Sequence, residues 1–153
     1  MNYPKADLVK RFVAALIDGL IGSVPAFIVP ILGGLVGAAY TLTKDALVFE
    51  LTKDVQWKNR SIGKKLMGLQ VVNLGGGDVD MTVSVKRNIT LAIGSIVAIV
   101  PVLGWVVGGV VGGVLGLIEI LLVLADAGGR RLGDKFANTQ VIMVEEPQPS
   151  SKQ

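Results

Sequence analysis

The chain reads as an all-α membrane protein: four transmembrane helices in two hairpins, with a short amphipathic interfacial helix and a small cytoplasmic β ribbon. Three observations predict this. Of the fifteen Lys and Arg residues, all but Lys44 fall in three blocks, running from Lys5 to Arg11, from Lys53 to Arg87 and from Arg130 onward. Between the blocks lie two stretches without any charge, Gly19 to Thr43 and Asn88 to Ile118. Both stretches are apolar, and proline interrupts each near its middle, at Pro25 and Pro30 and at Pro101. Apolar hairpins whose ends all return to one basic side follow the positive-inside pattern, which puts both termini in the cytoplasm and the protein in a cell inner membrane or plasma membrane.

The first apolar region, from about Phe12 to Leu51, is roughly 40 residues long, too long for one helix across a ~30 Å core and right for two. The expected spans are Leu8 to Phe27 and Ile31 to Leu51, with a tight turn at Pro30. A single kinked helix would place the middle basic block opposite the first and discard the charge asymmetry. Lys5, Lys10 and Arg11 ahead of an apolar run resemble a signal peptide. Asp18 inside the run, and Pro25 just before the small residue Ala26, favour a retained first span. In the second region the third span is expected from Val83 to Val100 and the fourth from Trp105 to Leu124, joined by the uncharged turn at Pro101 to Gly104. Trp105 there suits an interfacial aromatic.

Gly104, Gly108, Gly112 and Gly116 recur every four residues along the fourth span, and Gly109 and Gly113 form a second row. Residues four apart share a helix face, so these rows offer a strip without side chains on which a neighbour can pack closely. The partner is another of the four spans, with Gly33 and Gly37 as a candidate facing strip, or else a second chain in a homo-oligomer or heteromeric complex. Between the hairpins, Ile62, Leu66 and Leu69 fall at helical spacing with Lys64 and Lys65 opposite, an arrangement suited to lying on anionic lipid headgroups of the inner leaflet. Gln70 to Leu74 and Gln140 to Val144 are β-prone, and their pairing would make the ribbon. One domain covers residues 1–146; the tail 147–153, rich in Pro, Ser and Gln, reads as disordered.

Beyond those near the cytoplasmic ends of the expected spans, four ionisable residues lie deeper within them. Counted at 1.5 Å per residue, Asp18, Lys44, Asp45 and Glu119 all lie about 10 Å inside the cytoplasmic boundary. An isolated charge at such depth costs roughly 2.5–3.5 kcal/mol, so partners or a wet vestibule are expected. Either Lys44 neutralises Asp18 or Glu119 in a structural network, or the layer is an ion or solute site. Arg11 shares a helix face with Asp18 but is too far along the axis to pair with it, and is expected to meet a carboxylate of the Arg130 to Asp134 segment.

Composition excludes several classes. The chain has no Cys and no His, which removes the usual nucleophile, general base and soft metal ligands. No catalytic residue, metal site or cofactor is expected. The Gly75 to Gly77 turn lacks the Lys-Ser/Thr and helix start of a phosphate loop. A sequence pI near 9.3 is explained by topology rather than by nucleic acid, because the cations flank apolar spans.

Three segments together resemble the RDD family of small membrane proteins, named for an arginine and two aspartates. They are Arg11-Phe-Val-Ala-Ala-Leu-Ile-Asp18, Ser61-Ile-Gly-Lys-Lys-Leu-Met-Gly-Leu-Gln-Val-Val72 and Arg131-Leu-Gly-Asp-Lys-Phe-Ala-Asn-Thr-Gln-Val141. The resemblance carries Arg11, Asp18 and Asp134 over as the signature residues. It implies a multi-pass membrane protein with a role in transport, or an accessory or regulatory subunit of another membrane protein, and no enzyme. Lys44 and Asp45 within the second span, and the density of glycine rows in the fourth, depart from the family pattern.

Overall fold

A computed structural model describes residues 3–100 and 102–144. Pro101 of the expected outer turn and the tail 147–153 lie outside these described residues. Helix α1 spans Leu8–Ile28 and α2 spans Pro30–Thr52. A 3-10 turn at Val55–Trp57 leads to the short helix α3, Ile62–Leu66, and strand β1, Leu69–Asn73. The same order then repeats: α4, Met81–Val97; α5, Leu103–Ala125; α6, Leu132–Phe136; β2, Thr139–Met143.

Local chemistry sets the boundaries. Asp7 caps α1 through the Lys10 amide at 2.8 Å, and Asp80 caps α4 through the Val83 amide at 2.7 Å. Pro30 opens α2, where its missing N–H costs nothing, after Val29 has turned to extended geometry. Helices α1, α2 and α5 are each long and apolar enough to cross a membrane. Helix α4 is shorter, at 17 residues, and runs between α2 and α5. The burial pattern is inverted relative to a soluble protein. The fully buried large side chains are mostly polar or charged, among them Arg87, Asn88, Asp18, Asp45 and Asp134, while Phe12, Phe27, Val110 and Leu117 are exposed. Apolar surface with a polar interior suits a lipid solvent.

The expected ribbon is present. Strands β1 and β2 pair antiparallel with Leu69 opposite Met143, Val71 opposite Val141 and Asn73 opposite Thr139. Val71 and Val141 are also seventy positions apart in sequence, and at that offset Gly63, Lys65, Gln70 and Val71 recur as Gly133, Lys135, Gln140 and Val141. The geometry repeats with them. Gly68 and Asn138 both take left-handed backbone, at φ 65° and 50°. The Leu74 amide donates to the Asn138 carbonyl while the Val144 amide donates to the Gly68 carbonyl, both at 2.9 Å. The chain is thus two copies of one unit, a long hairpin, a short helix and a strand, related by a pseudo-two-fold axis between Val71 and Val141.

Two expectations need correction. The segment around Ser61 to Gln70 is not an interfacial helix with both lysines on its outer side: only Ile62–Leu66 is helical, Lys64 is buried at 8% exposure, and Leu66 is 63% exposed. The cause is an ion pair in the interior, described below. The glycine rows also divide differently. Gly104, Gly108 and Gly112 face α4, where a methyl on Gly108 would stand 2.5 Å from the Gly94 carbonyl oxygen and 2.7 Å from the Ala98 nitrogen. Gly116 lies off that interface, and Gly33 and Gly37 face Pro25 and Gly22 of α1 instead of α5.

This packing sets a clear contrast. Gly108→Leu should force α4 and α5 apart and lower stability by about 1–3 kcal/mol or more, the range for overpacking. Gly109→Leu, where a β-carbon meets nothing within 4 Å, should leave the melting temperature in detergent unchanged. Equal melting temperatures for the two variants would show that the α4–α5 contact is not made.

Candidate functional site

Each short helix docks its glycine on a long helix, and a carboxylate from a spanning helix receives its amide. In the first half, Asp18 of α1 is 2% exposed and accepts the Gly63 amide at 2.8 Å and the Ser61 hydroxyl at 2.6 Å. Ser61 in turn caps α3 by accepting the Lys64 amide at 3.3 Å. A methyl at Gly63 would overlap the Ala14 carbonyl, so only glycine allows this approach. In the second half, Gly133 sits against the Arg87 carbonyl of α4 in the same way. Its carboxylate is Glu119 of α5, which accepts the Leu132 amide at 2.8 Å, the Gly133 amide at 3.4 Å and the Thr90 hydroxyl.

Ion pairs join the halves. Asp18 meets Lys44 at 3.5 Å and accepts from Tyr40 at 3.3 Å. Asp45, one residue on from Lys44, takes Lys64 at 2.6 Å, Arg87 at 3.3 Å and the Asn88 amide at 2.9 Å. Arg87 bridges onward to Asp134 at 2.6 Å. Asp134 is also 3.5 Å from Arg11 and 3.7 Å from Arg131, and it accepts the Thr139 hydroxyl at 3.3 Å. Arg131 closes the circuit by donating to the side-chain amide oxygen of Asn88 at 2.6 Å, and Arg11 donates to the Gly129 backbone carbonyl at 2.5 Å. Burial lowers the Lys64 ammonium pKa despite the pull of Asp45. Burial pushes Asp134 the other way, but Arg87, Arg131 and Arg11 outweigh it and hold this carboxyl below the usual carboxylate range.

The singled-out residues are therefore placed as follows. Arg11 and Asp134 pair directly. Asp18, Lys44 and Asp45 come together around Lys64. Glu119 lies across the site and holds α6. Lys65 lies outside this circuit, 3.8 Å from the centre of the Trp57 ring. Arg87, Asn88, Thr90 and Arg131 carry as much of the network as any of these, and spacing alone does not single them out. Two signals point to them: Arg87 falls four residues inside the expected third span, and the Ser61 and Arg131 segments repeat at a fixed offset. Among the described residues no group of three or more His, Cys, Asp or Glu is placed to hold a metal.

Two cavities meet at this network. One, of about 400 Å³, opens between α1 and α5, with Arg11, Asp18, Lys44, Lys64, Arg87 and Glu119 at its floor and Phe12, Ile120 and Leu124 among its apolar walls. The other, of about 650 Å³, lies toward the hairpin turns, between Gly22, Ala26, Gly34, Thr41, Ile99 and Trp105. Both are lined by Ala15, Asp18, Lys44 and Leu91, so the Asp18–Lys44 pair separates them.

The Asp134 shift fixes a pH dependence. A carboxyl whose folded pKa lies below its unfolded value of about 3.9 contributes stability above that pH and loses it on further acidification. Unfolding followed by circular dichroism from neutral pH into acid should show this loss below about pH 4. Asp134→Asn should be less stable at neutral pH, because Arg87 loses a partner, yet should show a flatter acid limb. An acid limb as steep as that of the wild type would assign the loss to other carboxylates.

A sequence model of the RDD family matches residues 5–138. No curated protein and no solved structure matches the chain.

Proposed function

Since the chain belongs to the RDD family and its spanning helices make it an integral membrane protein, we propose that it transports a small solute or ion, with the Asp18–Lys44 pair as the closed point of the path. The observation that carries this reading is the meeting of two cavities on that one pair. Along α1, the cavity at the basic end takes residues from Leu8 to Asp18, and the other takes residues from Ala15 to Ala26. In this reading α4 completes four spans, its polar residues shielded between α2 and α5, and both termini are cytoplasmic as the basic blocks require. The membrane is a cell inner membrane or plasma membrane. The protein is not an enzyme and carries no cofactor. Nucleic acid is not among its partners.

A second reading has its own observation. Among the described residues, Gly109 and Gly113 of α5 have no atom of another element within 4 Å of where a side chain would start. This bare strip would suit close docking of a helix from a second copy or from another membrane protein, and makes the chain an accessory subunit. Gly113→Leu, which should leave the monomer intact, would then shift the oligomeric size in mild detergent while leaving flux alone.

Topology is tested in this Cys-free chain by single cysteines. Gly76→Cys, at the tip of the turn between the hairpins, should react with an impermeant thiol reagent only after cells are opened, and Leu103→Cys should react in intact cells. The reverse pattern would sink the proposed orientation.

Transport is tested by Asp18 and Lys44 together. Asp18→Asn strips Lys44 of its ion pair and should cost about 3–5 kcal/mol, the range for breaking a buried pair. The Asp18→Asn/Lys44→Met double variant should recover part of that stability. In proteoliposomes with imposed sodium, proton or phosphate gradients, the wild type should dissipate at least one. Both variants should fail to do so. Flux that survives Asp18→Asn, or that returns with stability in the double variant, would reduce the pair to a structural clasp.

A further inference from the structure

The two-fold repeat shows where the molecule is incomplete. Helix α2 packs closely along α4, and the pseudo-symmetric counterpart of that contact is α5 along α1. Among the described residues α5 does not pack along α1 to that extent; the cavity of about 400 Å³ lies between them. Its walls are apolar, and Phe12, Ile120 and Leu124 at its mouth are exposed on the lipid-facing surface of the bundle. Its floor is not apolar. The buried circuit there holds five cations, Arg11, Lys44, Lys64, Arg87 and Arg131, against four carboxylates, Asp18, Asp45, Glu119 and Asp134. Counted as formal charges, one cation more than carboxylates stands at the base of a slot open to lipid.

The cation beneath that slot is Arg87, 1% exposed. Its Nε and Nη1 atoms have no hydrogen-bond partner among the described residues, although Nη1 stands 3.3 Å from Asp45. A buried guanidinium donor without an acceptor is costly, and phosphate oxygens match it better than any neutral group. We propose that the cleft between α1 and α5 is a binding site for an anionic phospholipid, which enters sideways from the bilayer with its phosphate toward Arg87 and the surrounding cations and an acyl chain between Phe12 and Ile120. Charge and shape agree on this occupant. A free anion would leave the apolar walls uncovered, and a zwitterionic lipid would leave the excess positive charge unanswered.

This proposal does not depend on transport, since a lipid bound here could be cargo or a fixed structural ligand. The test uses the full chain in a non-ionic detergent. Phosphatidylglycerol, phosphatidylcholine and inorganic phosphate are added in turn, and bound adducts are read by native mass spectrometry alongside the melting temperature. Gly116→Leu is the blocking variant: Gly116 lines the cleft, and a β-carbon there meets nothing within 4 Å, so a side chain starts free of the fold and extends into the slot. Ile120→Trp is a second block, and Leu121→Trp, exposed on the same helix but outside the cleft, is the control.

Phosphatidylglycerol should be retained and should raise the wild-type melting temperature. Its apparent affinity should fall about tenfold or more in Gly116→Leu and Ile120→Trp but stay unchanged in Leu121→Trp. Equal retention of phosphatidylcholine, or retention that ignores both blocking variants, would overturn the proposal in favour of unspecific annular lipid. Stabilisation by inorganic phosphate that matches the lipid and survives the blocking variants would assign the cations to a free anion instead.

Discussion

The fold depends on one buried guanidinium. Arg87 lies inside α4, in the middle of the bundle, and reaches Asp45 of α2 on one side and Asp134 of α6 on the other. In a low-dielectric interior a lone cation there would cost several kcal/mol, so its two carboxylates hold α2, α4 and α6 in fixed relation. Several other members of the circuit are attached through one of those two. Lys64 shares Asp45, and Arg11, Arg131 and Thr139 share Asp134. The hydrophobic effect does little to hold spanning helices together in lipid, which leaves close glycine packing and this polar circuit to do so. The signature arginine and second aspartate thus act as a tie between the first helix and the last short one.

Much of this architecture was legible in the sequence because it rests on patterns that survive in one dimension. Hairpins, basic ends and helix lengths follow from charge-free runs and the bilayer thickness, and α1 and α2 fall within a residue of their expected bounds. The ribbon was legible as two β-prone runs. Some distant pairs were foreseen, among them Arg11 with Asp134 and Lys44 with Asp18; what escaped was the side on which a distant partner turns a residue. Ser61 to Gln70 has the spacing of an interfacial helix, yet Lys64 points inward because Asp45 waits there. The outward turn of Leu66 follows from that. The glycine rows promised a close contact but could not name α4 as the partner, since Gly94 and Ala98 make only a single small-residue pair, no stronger a signal than Gly33 and Gly37.

The repeat explains why the candidate site is lopsided. Both halves solve the same local problem: a short helix whose first amides need an acceptor inside a membrane protein. The first half supplies Asp18 from α1, and the second supplies Glu119 from α5. Had the second acceptor come from α4, the equivalent of α1, the two carboxylates would be related by the axis. Placing it on α5 instead puts one acceptor on each wall of the cleft. Between α1 and α5 the cleft is lined by exposed apolar residues above and by cations below.

This placement has a mechanical consequence. Helix α1 holds α3 through Asp18, and α5 holds α6 through Glu119. Helices α3 and α6 lead directly into β1 and β2, whose register is locked by the ladder and by the crossed Leu74 and Val144 amides. The two walls of the cleft are therefore linked around its base by a chain of hydrogen bonds that runs through the sheet. Widening the cleft must either stretch one of those carboxylate contacts or bend the sheet between Val71 and Val141. Both routes pass close to the Asp18–Lys44 pair that separates the cavities, because Asp18 belongs to the wall and to the barrier at once. On the proposed path, a ligand that favours one width of the cleft would therefore also bias the Asp18–Lys44 contact, by no more than its differential binding energy for the two widths.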